Sequence, residues 1–486
     1  MTDRDVELLI VGPVDAVDLV DPADPRFAMR ATGVLREFNL AGVLDAADVH
    51  VAGRLGTLTG ETDEVVLLAV AFAVRAPRLA HVCVDLAGVQ GSATSELDEP
   101  ADLSRLSWPV LDDWISRLTA SAMVGRVATA DAPSPLRLEG TRLYLDRYWR
   151  QETSIAAGLS ERGLRSPTVD LELLDHDLDM IFGADHDDIH DDIHDDLQRA
   201  AASAAVRSTF SVVAGGPGTG KTTTVARIVV LLDSQAAAGG RPLPRVALAA
   251  PTGKAAARLE ESVHGEALGL GLAEEAQQRL RALSAVTLHR LLGWRSGSRS
   301  RFRHDRTNRL PFDVVIVDET SMVSTSMMAK LVEAIGRDTR LILVGDPDQL
   351  ASVEAGAVLG DIVGPAADDT RPVPESPIRH GIVVLRRVHR FGGAIAELAT
   401  AVRHGDVEAA VAVLRRGDAD VEWIEDDSQP EALAPVRDRI VDAGRAIITS
   451  ARAGDAMAAL DALRAMRVLC AHRRGPLGVT GWTAHI

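Results

Sequence analysis

Cysteine is almost missing from this chain of 486 residues: only Cys83 and Cys470 occur. That excludes a disulfide framework and fits a reducing compartment. Aromatic residues make up 3%, so the cores must be built from Leu, Val and Ala. No apolar run approaches the ~20 residues of a membrane span, and Met1-Thr-Asp-Arg-Asp-Val-Glu has no basic n-region. These absences lead to the expectation of a soluble cytoplasmic protein with no membrane partner. Its length and 46% hydrophobic content allow roughly two to four domains.

Lys and Arg are wholly missing between Asp170 and Asp196, where 12 carboxylates sit, so the net charge of −18 − (−12) leaves −6 for the rest of the chain. The segment Arg281 to Arg309 is the reverse, with eight arginines against Asp305 alone. Local fields rather than the total decide where a phosphate backbone can dock. A mobile basic loop and direct DNA contact are both open readings of these arginines.

What is present begins with one stretch. An apolar run, Phe210 to Ala214, leads into Gly215-Gly216-Pro217-Gly218-Thr219-Gly220-Lys221-Thr222-Thr223 and then a helix-like segment to Leu232. The glycines let backbone N–H groups turn inward around phosphate oxygens, and the helix that follows directs its positive end at the same anion. Lys221 is expected at the β- and γ-phosphates and the Thr222 hydroxyl in a Mg²⁺ shell. The alternative is a glycine-rich turn that binds nothing, but every fixed position of the P-loop is matched and both flanks are correct. Gln198, just upstream on a helix to Arg207, has an amide able to pair N6 and N7 of adenine.

Three further strands end in polar groups. Asp313 to Val317 closes in Asp318 and Glu319, suited to holding Mg²⁺ and polarising the attacking water respectively. Arg340 to Gly345 leads through Asp346 to Gln349, placed to sense the γ-phosphate. Arg245 to Ala250 runs into Pro251-Thr252-Gly253-Lys254, where Thr252 and Lys254 suit a phosphate of a nucleic-acid strand. Arg390, in Val384-Leu-Arg-Arg-Val-His-Arg-Phe391, has the chemistry to stabilise charge on a leaving phosphoryl group, although an isolated surface arginine would read the same way. Strands alternating with helices, each with phosphate chemistry at its C-terminal end, predict an α/β fold with a RecA-like P-loop NTPase core.

The flanks are plainer. Residues 1–150 predict a small mixed α/β domain without a catalytic signature, hence a docking surface. It has helical spacing over Met29 to Leu44 and Val65 to Arg75, a strand at Val82 to Leu86, and a hairpin about Glu139-Gly140. Residues 151–197 read as an acidic linker. Within them His186, His190 and His194 stand at i, i+4, i+8; a solvated acidic repeat is the preferred reading, and a divalent-metal face the alternative. The motor domain is expected over 198–395. After it, Ala446-Ile-Ile-Thr449 and Arg467-Val-Leu-Cys470, around a helix from Asp455 to Met466, suggest strands opening a second, incomplete RecA-like domain over 396–486.

The ordered set Gln198, GGPGTGKTTT, APTGKAAARL, TLHRLL, VIVDETSM, LVGDPDQL and LRRVHRF resembles superfamily 1B helicases. More narrowly, DETSM, GDPDQL and Arg467-Val-Leu-Cys-Ala-His-Arg-Arg-Gly-Pro-Leu-Gly478, with LREFNLAGVLDAADVHVA and LYLDRYWRQE nearer the N-terminus, resemble the RecD family, the alpha subunits of exonuclease V (RecBCD). The resemblance covers most of the chain from Met29 onward. It implies an ATP-driven, Mg²⁺-dependent 5′ to 3′ helicase or translocase acting on single-stranded and duplex-end DNA in double-strand-break repair by homologous recombination. It also implies a heterotrimer with RecB-like and RecC-like subunits, the nuclease belonging to the RecB-like one. Matched motif by motif, Lys221, Thr222, Asp318, Glu319, Gln349 and Arg390 would serve ATP, and Thr252, Lys254 and His289 would lie along the DNA. The family carries a full second RecA-like domain with a further arginine, for which this sequence has no counterpart after Trp482. The expectation is that the chain binds Mg-ATP, hydrolyses it slowly and does not unwind DNA alone; the alternative function is a nucleotide-binding assembly subunit without motor activity.

Overall fold

With few aromatics to spend, the N-terminal part of the chain concentrates them. In the computed structural model, which describes residues 24–95, 102–126, 134–183, 193–295, 301–350, 352, 354–367, 376–386, 392–425, 432–473, 475 and 477–485, Phe38 lies edge-on to Phe72 and Trp108 at centroid distances of 5.8 and 4.7 Å. Trp114 closes the cluster 6.2 Å from Phe72. Helix Glu64–Arg75 is apolar nearly all round and runs through the middle of this core, with Val66, Leu68, Val70 and Phe72 buried. Against it lies a sheet of β1 (Cys83–Asp85), β2 (Val124–Arg126), β3 (Leu136–Glu139) and β4 (Arg142–Leu145), ordered β1-β4-β3-β2. The expected hairpin is β3–β4, with Glu139 opposite Arg142.

The second sheet is parallel throughout. Its strands are β5 (Phe210–Gly215), β6 (Val246–Ala250), β7 (Ala285–Thr287), β8 (Val314–Val317), β9 (Arg340–Gly345) and β10 (Ile382–Leu385), ordered β10-β5-β9-β8-β6-β7 among the described residues. Both faces are covered, which is why its strands read as unbroken apolar runs. Val212, Val315, Val317, Leu341 and Leu343 face one core; Val213, Val314, Ile316, Ile342 and Val344 face the other. Helices Lys221–Ala238, Gly253–Gly269 and Ile193–Arg207 cover the second face, and helix Thr325–Ala334 the first.

The stretch 151–197 is not a linker as far as Phe182. Helix Asp146–Gly163 buries Ile155 and Leu159 in the first core, and helix Leu171–Phe182 buries Leu174 and Leu178 in the second. Acid content misled because the exposed Asp175 and Asp179 decorate the outer side of a helix whose Leu174 and Leu178 repeat at i, i+4. Two devices fasten these helices down. Arg162, buried, donates to the carbonyls of Thr339 (2.7 Å), Ile335 (3.3 Å) and Gly336 (2.6 Å). Asp170 and Gln235 exchange two hydrogen bonds, 2.8 and 2.9 Å. His186 and His190, and the side chain of His194, lie outside the described residues.

The chain divides into two units, Met1–Arg390 and Phe391–Ile486. The described residues of the second carry helices Gly393–His404, Val407–Arg416, Ala434–Arg452, Ala456–Ala465 and Val479–His485, and no strand. The strand expected at 446–449 is therefore a turn of helix: Ile440 and Ile447 stand seven apart on one helical face, a spacing an isolated apolar tetrad conceals. Residues 467–470 are irregular rather than extended in a sheet. No described helix is long and apolar enough to cross a membrane.

Candidate functional site

Because β5, β6, β8 and β9 are parallel, their C-terminal ends share one edge of the sheet, and the turns leaving them converge there. The turn from β5 enters helix Lys221–Ala238 through Gly220, whose φ is +82°. A Cβ on Gly215 would stand 2.7 Å from the Leu385 carbonyl, and Gly220, packed against Gln198 Nε2, holds a left-handed φ that strains any other residue. Thr219 Oγ1 donates to the Gly216 carbonyl (2.9 Å) and fixes the loop from behind. Lys221 Nζ donates to the carbonyls of Gly215 and Gly216, both at 2.7 Å, so the ammonium lies inside the loop. Burial pulls its pKa down, opposed by the carboxylates of Asp346, Asp318 and Glu319.

Pro217, Gly218, Gly220, Lys221, Thr222 and Thr223 line a cavity of about 600 Å³. Across it stand Asp318 and Glu319. Asp318, 7% exposed, is pushed up to about 6 by burial, against which the Glu319 N–H donates to its Oδ1 at 2.8 Å. Glu319 sits in the left-handed region, φ +51° and ψ +41°, a conformation that costs a non-glycine residue about 1 kcal/mol or more and clusters at functional sites. Gln198, buried, reaches the cavity and donates to the Thr219 carbonyl at 3.2 Å. Asp346 is buried at the end of β9, and its Oδ1 accepts from the Asp348 N–H (3.1 Å).

Gln349 is exposed and borders both this cavity and a neighbouring groove of about 610 Å³. Thr252 and His289 line the groove; Lys254 is exposed and lines neither space. Thr252 Oγ1 accepts from the Ala255 N–H at 3.2 Å, so its hydroxyl also caps helix Gly253–Gly269. Arg390 lies outside the described residues.

Four cavity residues escaped the sequence reading: Arg227, Ala255, Arg258 and Ser262. The signal was periodicity. Thr223 and Arg227 stand at i, i+4 on the P-loop helix, and Ala255, Arg258 and Ser262 at i, i+3, i+7 on the next.

A family model described as the N-terminal domain of RecBCD enzyme subunit RecD matches residues 40–144, and one described as an AAA domain matches residues 198–355. The RecBCD enzyme subunit RecD of Mycolicibacterium smegmatis is 47% identical over 446 residues, which are 92% of this chain and 73% of that protein. The same subunit of Mycobacterium tuberculosis (strain H37Rv) is 45% identical over 468 residues, 95% of this chain and 73% of the relative. The ATP-dependent RecD2 DNA helicase of Deinococcus radiodurans is 40% identical over 148 residues, 30% of this chain and 17% of its own length.

Proposed function

The chain belongs to the RecD family of RecBCD enzyme subunits, and from that premise we propose that it is an ATP-dependent 5′ to 3′ DNA helicase subunit of an exonuclease V complex. RecB-like and RecC-like subunits are its partners, single strands and duplex ends its substrates, and double-strand-break repair by homologous recombination its setting. The observation that carries the reading is the 600 Å³ cavity in which Lys221 and Thr222 face Asp318 and Glu319.

The P-loop backbone and the start of helix Lys221–Ala238 bind the polyphosphate. Lys221 exchanges its two carbonyl partners for phosphate oxygens, and Glu319 orients and polarises the water that attacks the γ-phosphorus. The donor set suits Mg²⁺: Thr222 and Asp318 both line the cavity and offer a hydroxyl and a carboxylate, and the ion would neutralise charge on the phosphates. Gln198 would hold the adenine edge by its carboxamide. Thr252 and His289, with Lys254 nearby, would follow a DNA strand along the groove, and Gln349 would report the state of the phosphate to it.

The test is steady-state ATP hydrolysis by the purified chain with and without single-stranded DNA, beside Lys221→Gln. Expected is slow turnover, raised by single-stranded DNA, that falls about 100-fold or more in the variant. Turnover indifferent to both DNA and the substitution would overturn the reading.

A further inference from the structure

Helix Gly253–Gly269 turns Ala256, Leu259, Val263 and Ala267 into the core and leaves the stripe Ala255, Arg258, Ser262 against the nucleotide cavity. On that stripe Arg258 shares the cavity with Lys221, Thr222, Asp318 and Glu319. The other cavity arginine, Arg227, lies over the Phe182 ring, 4.6 Å from its centroid. Arg258 differs: it is exposed and makes no hydrogen bond or ion pair with any described residue, although two carboxylates line the same space.

We propose that Arg258 is a phosphate ligand supplied in cis, whose guanidinium binds the terminal phosphate of a bound nucleoside triphosphate and finds no partner on a diphosphate. The proposal rests on the nucleotide-binding reading of the cavity. A guanidinium suits the task because its planar fork meets two phosphate oxygens at once, which an ammonium cannot do. An unpaired arginine in a cavity already holding carboxylates is also a group kept for an anion that arrives later. Its position on the strand-to-helix unit after β6 puts the cation on the same element as Thr252, at the border of the groove. Arrival of the terminal phosphate therefore draws on the helix whose first turn borders the proposed DNA path.

The experiment measures affinities of the full chain for ADP and for a slowly hydrolysed ATP analogue carrying a thiophosphate, using wild type, Arg258→Ala, Arg258→Gln and Arg258→Lys. Expected is a loss of about 10-fold or more for the triphosphate in Arg258→Ala and Arg258→Gln, with ADP affinity changed by less than about 2-fold, since a charge-assisted hydrogen bond to the terminal phosphate is lost. Arg258→Lys should fall between, keeping charge without the fork. Equal losses for both nucleotides, or none for either, would overturn the proposal. Failure of the underlying reading has a separate signature: no nucleotide binding by wild type, or unchanged triphosphate affinity in Lys221→Gln.

Discussion

The nucleotide cavity and the groove beside it are nearly equal in volume, about 600 and 610 Å³, and opposite in material. The cavity is lined by Lys221, Arg227, Arg258, Asp318 and Glu319 around a loop of backbone N–H groups. The groove is lined by Leu288, Met322, Val323, Met327 and Leu350, with Met322 45% and Leu350 93% exposed. A compact polyanion needs fixed charge held in one geometry; an apolar surface that includes the unbranched, polarisable Met322 and Met327 suits a strand whose bases differ in shape. Gln349 is common to both linings. On the proposed function, charge recognition would belong to one space and base contact to the other, with Gln349 on the wall between them.

The largest expected effect breaks that wall. Gln349→Ala should lower DNA stimulation of ATP turnover about 10-fold while leaving the separate affinities for nucleotide and single-stranded DNA within about 2-fold; parallel losses in affinity would mean that the side chain binds rather than relays. A smaller effect sharpens the division. Met322→Ser should weaken single-stranded DNA binding about 3-fold, measured by fluorescence anisotropy, with no change in ATP-analogue affinity.

The third prediction concerns stability and separates charge from apolar surface. The folded-state pKa of Asp318 is raised to about 6 from 3.8, so the native protein holds this proton more tightly than the unfolded chain does. Stability then falls as pH rises between about 4 and about 6, and the full penalty is present above that range. Asp318→Asn should thus raise the melting temperature of the nucleotide-free protein at pH 8 by roughly 2 °C or more, a gain that shrinks as pH falls toward 4. Met322→Ser should bring no such gain at any pH. A melting temperature unchanged by Asp318→Asn would mean that the buried carboxylate carries no desolvation cost.

Much of the site was legible because parallel strands buried on both faces leave apolar runs, and chemistry sits where those runs stop. That logic located β5, β6, β8 and β9 and, at their ends, Lys221, Thr252, Asp318 and Gln349. It had little to say about β7, a strand of three residues whose Ala285 and Val286 are too few to show a period, or about β10, whose pairing with β5 follows from the closing of the sheet rather than from Ile382–Leu385 itself. Arg258 was passed over because an arginine on a helix reads as solvated until the face it occupies is known. The same limit misplaced Ile155, Leu159, Leu174 and Leu178, whose burial depends on what comes to lie beneath them.

Helix Asp146–Gly163 is built into the structure at both ends. At its start Asp146 pairs with the fully buried Arg137 of β3 at 2.6 Å, and that guanidinium lies over Trp149, 5.3 Å from the ring centroid. Near its end Ile155 and Leu159 belong to the motor core, and Arg162 grips three of its carbonyls. Eighteen residues make a rod about 27 Å long, with no loop between the two attachments at which bending could be absorbed. A load on the N-terminal sheet, such as the pull of a neighbouring subunit, is delivered to the ATPase sheet as displacement of a stiff member. For the same reason the N-terminal domain is not a detachable cassette: a cut anywhere from Asp146 to Gly163 removes material from one core or the other, and a graft from a relative must carry the whole helix with it.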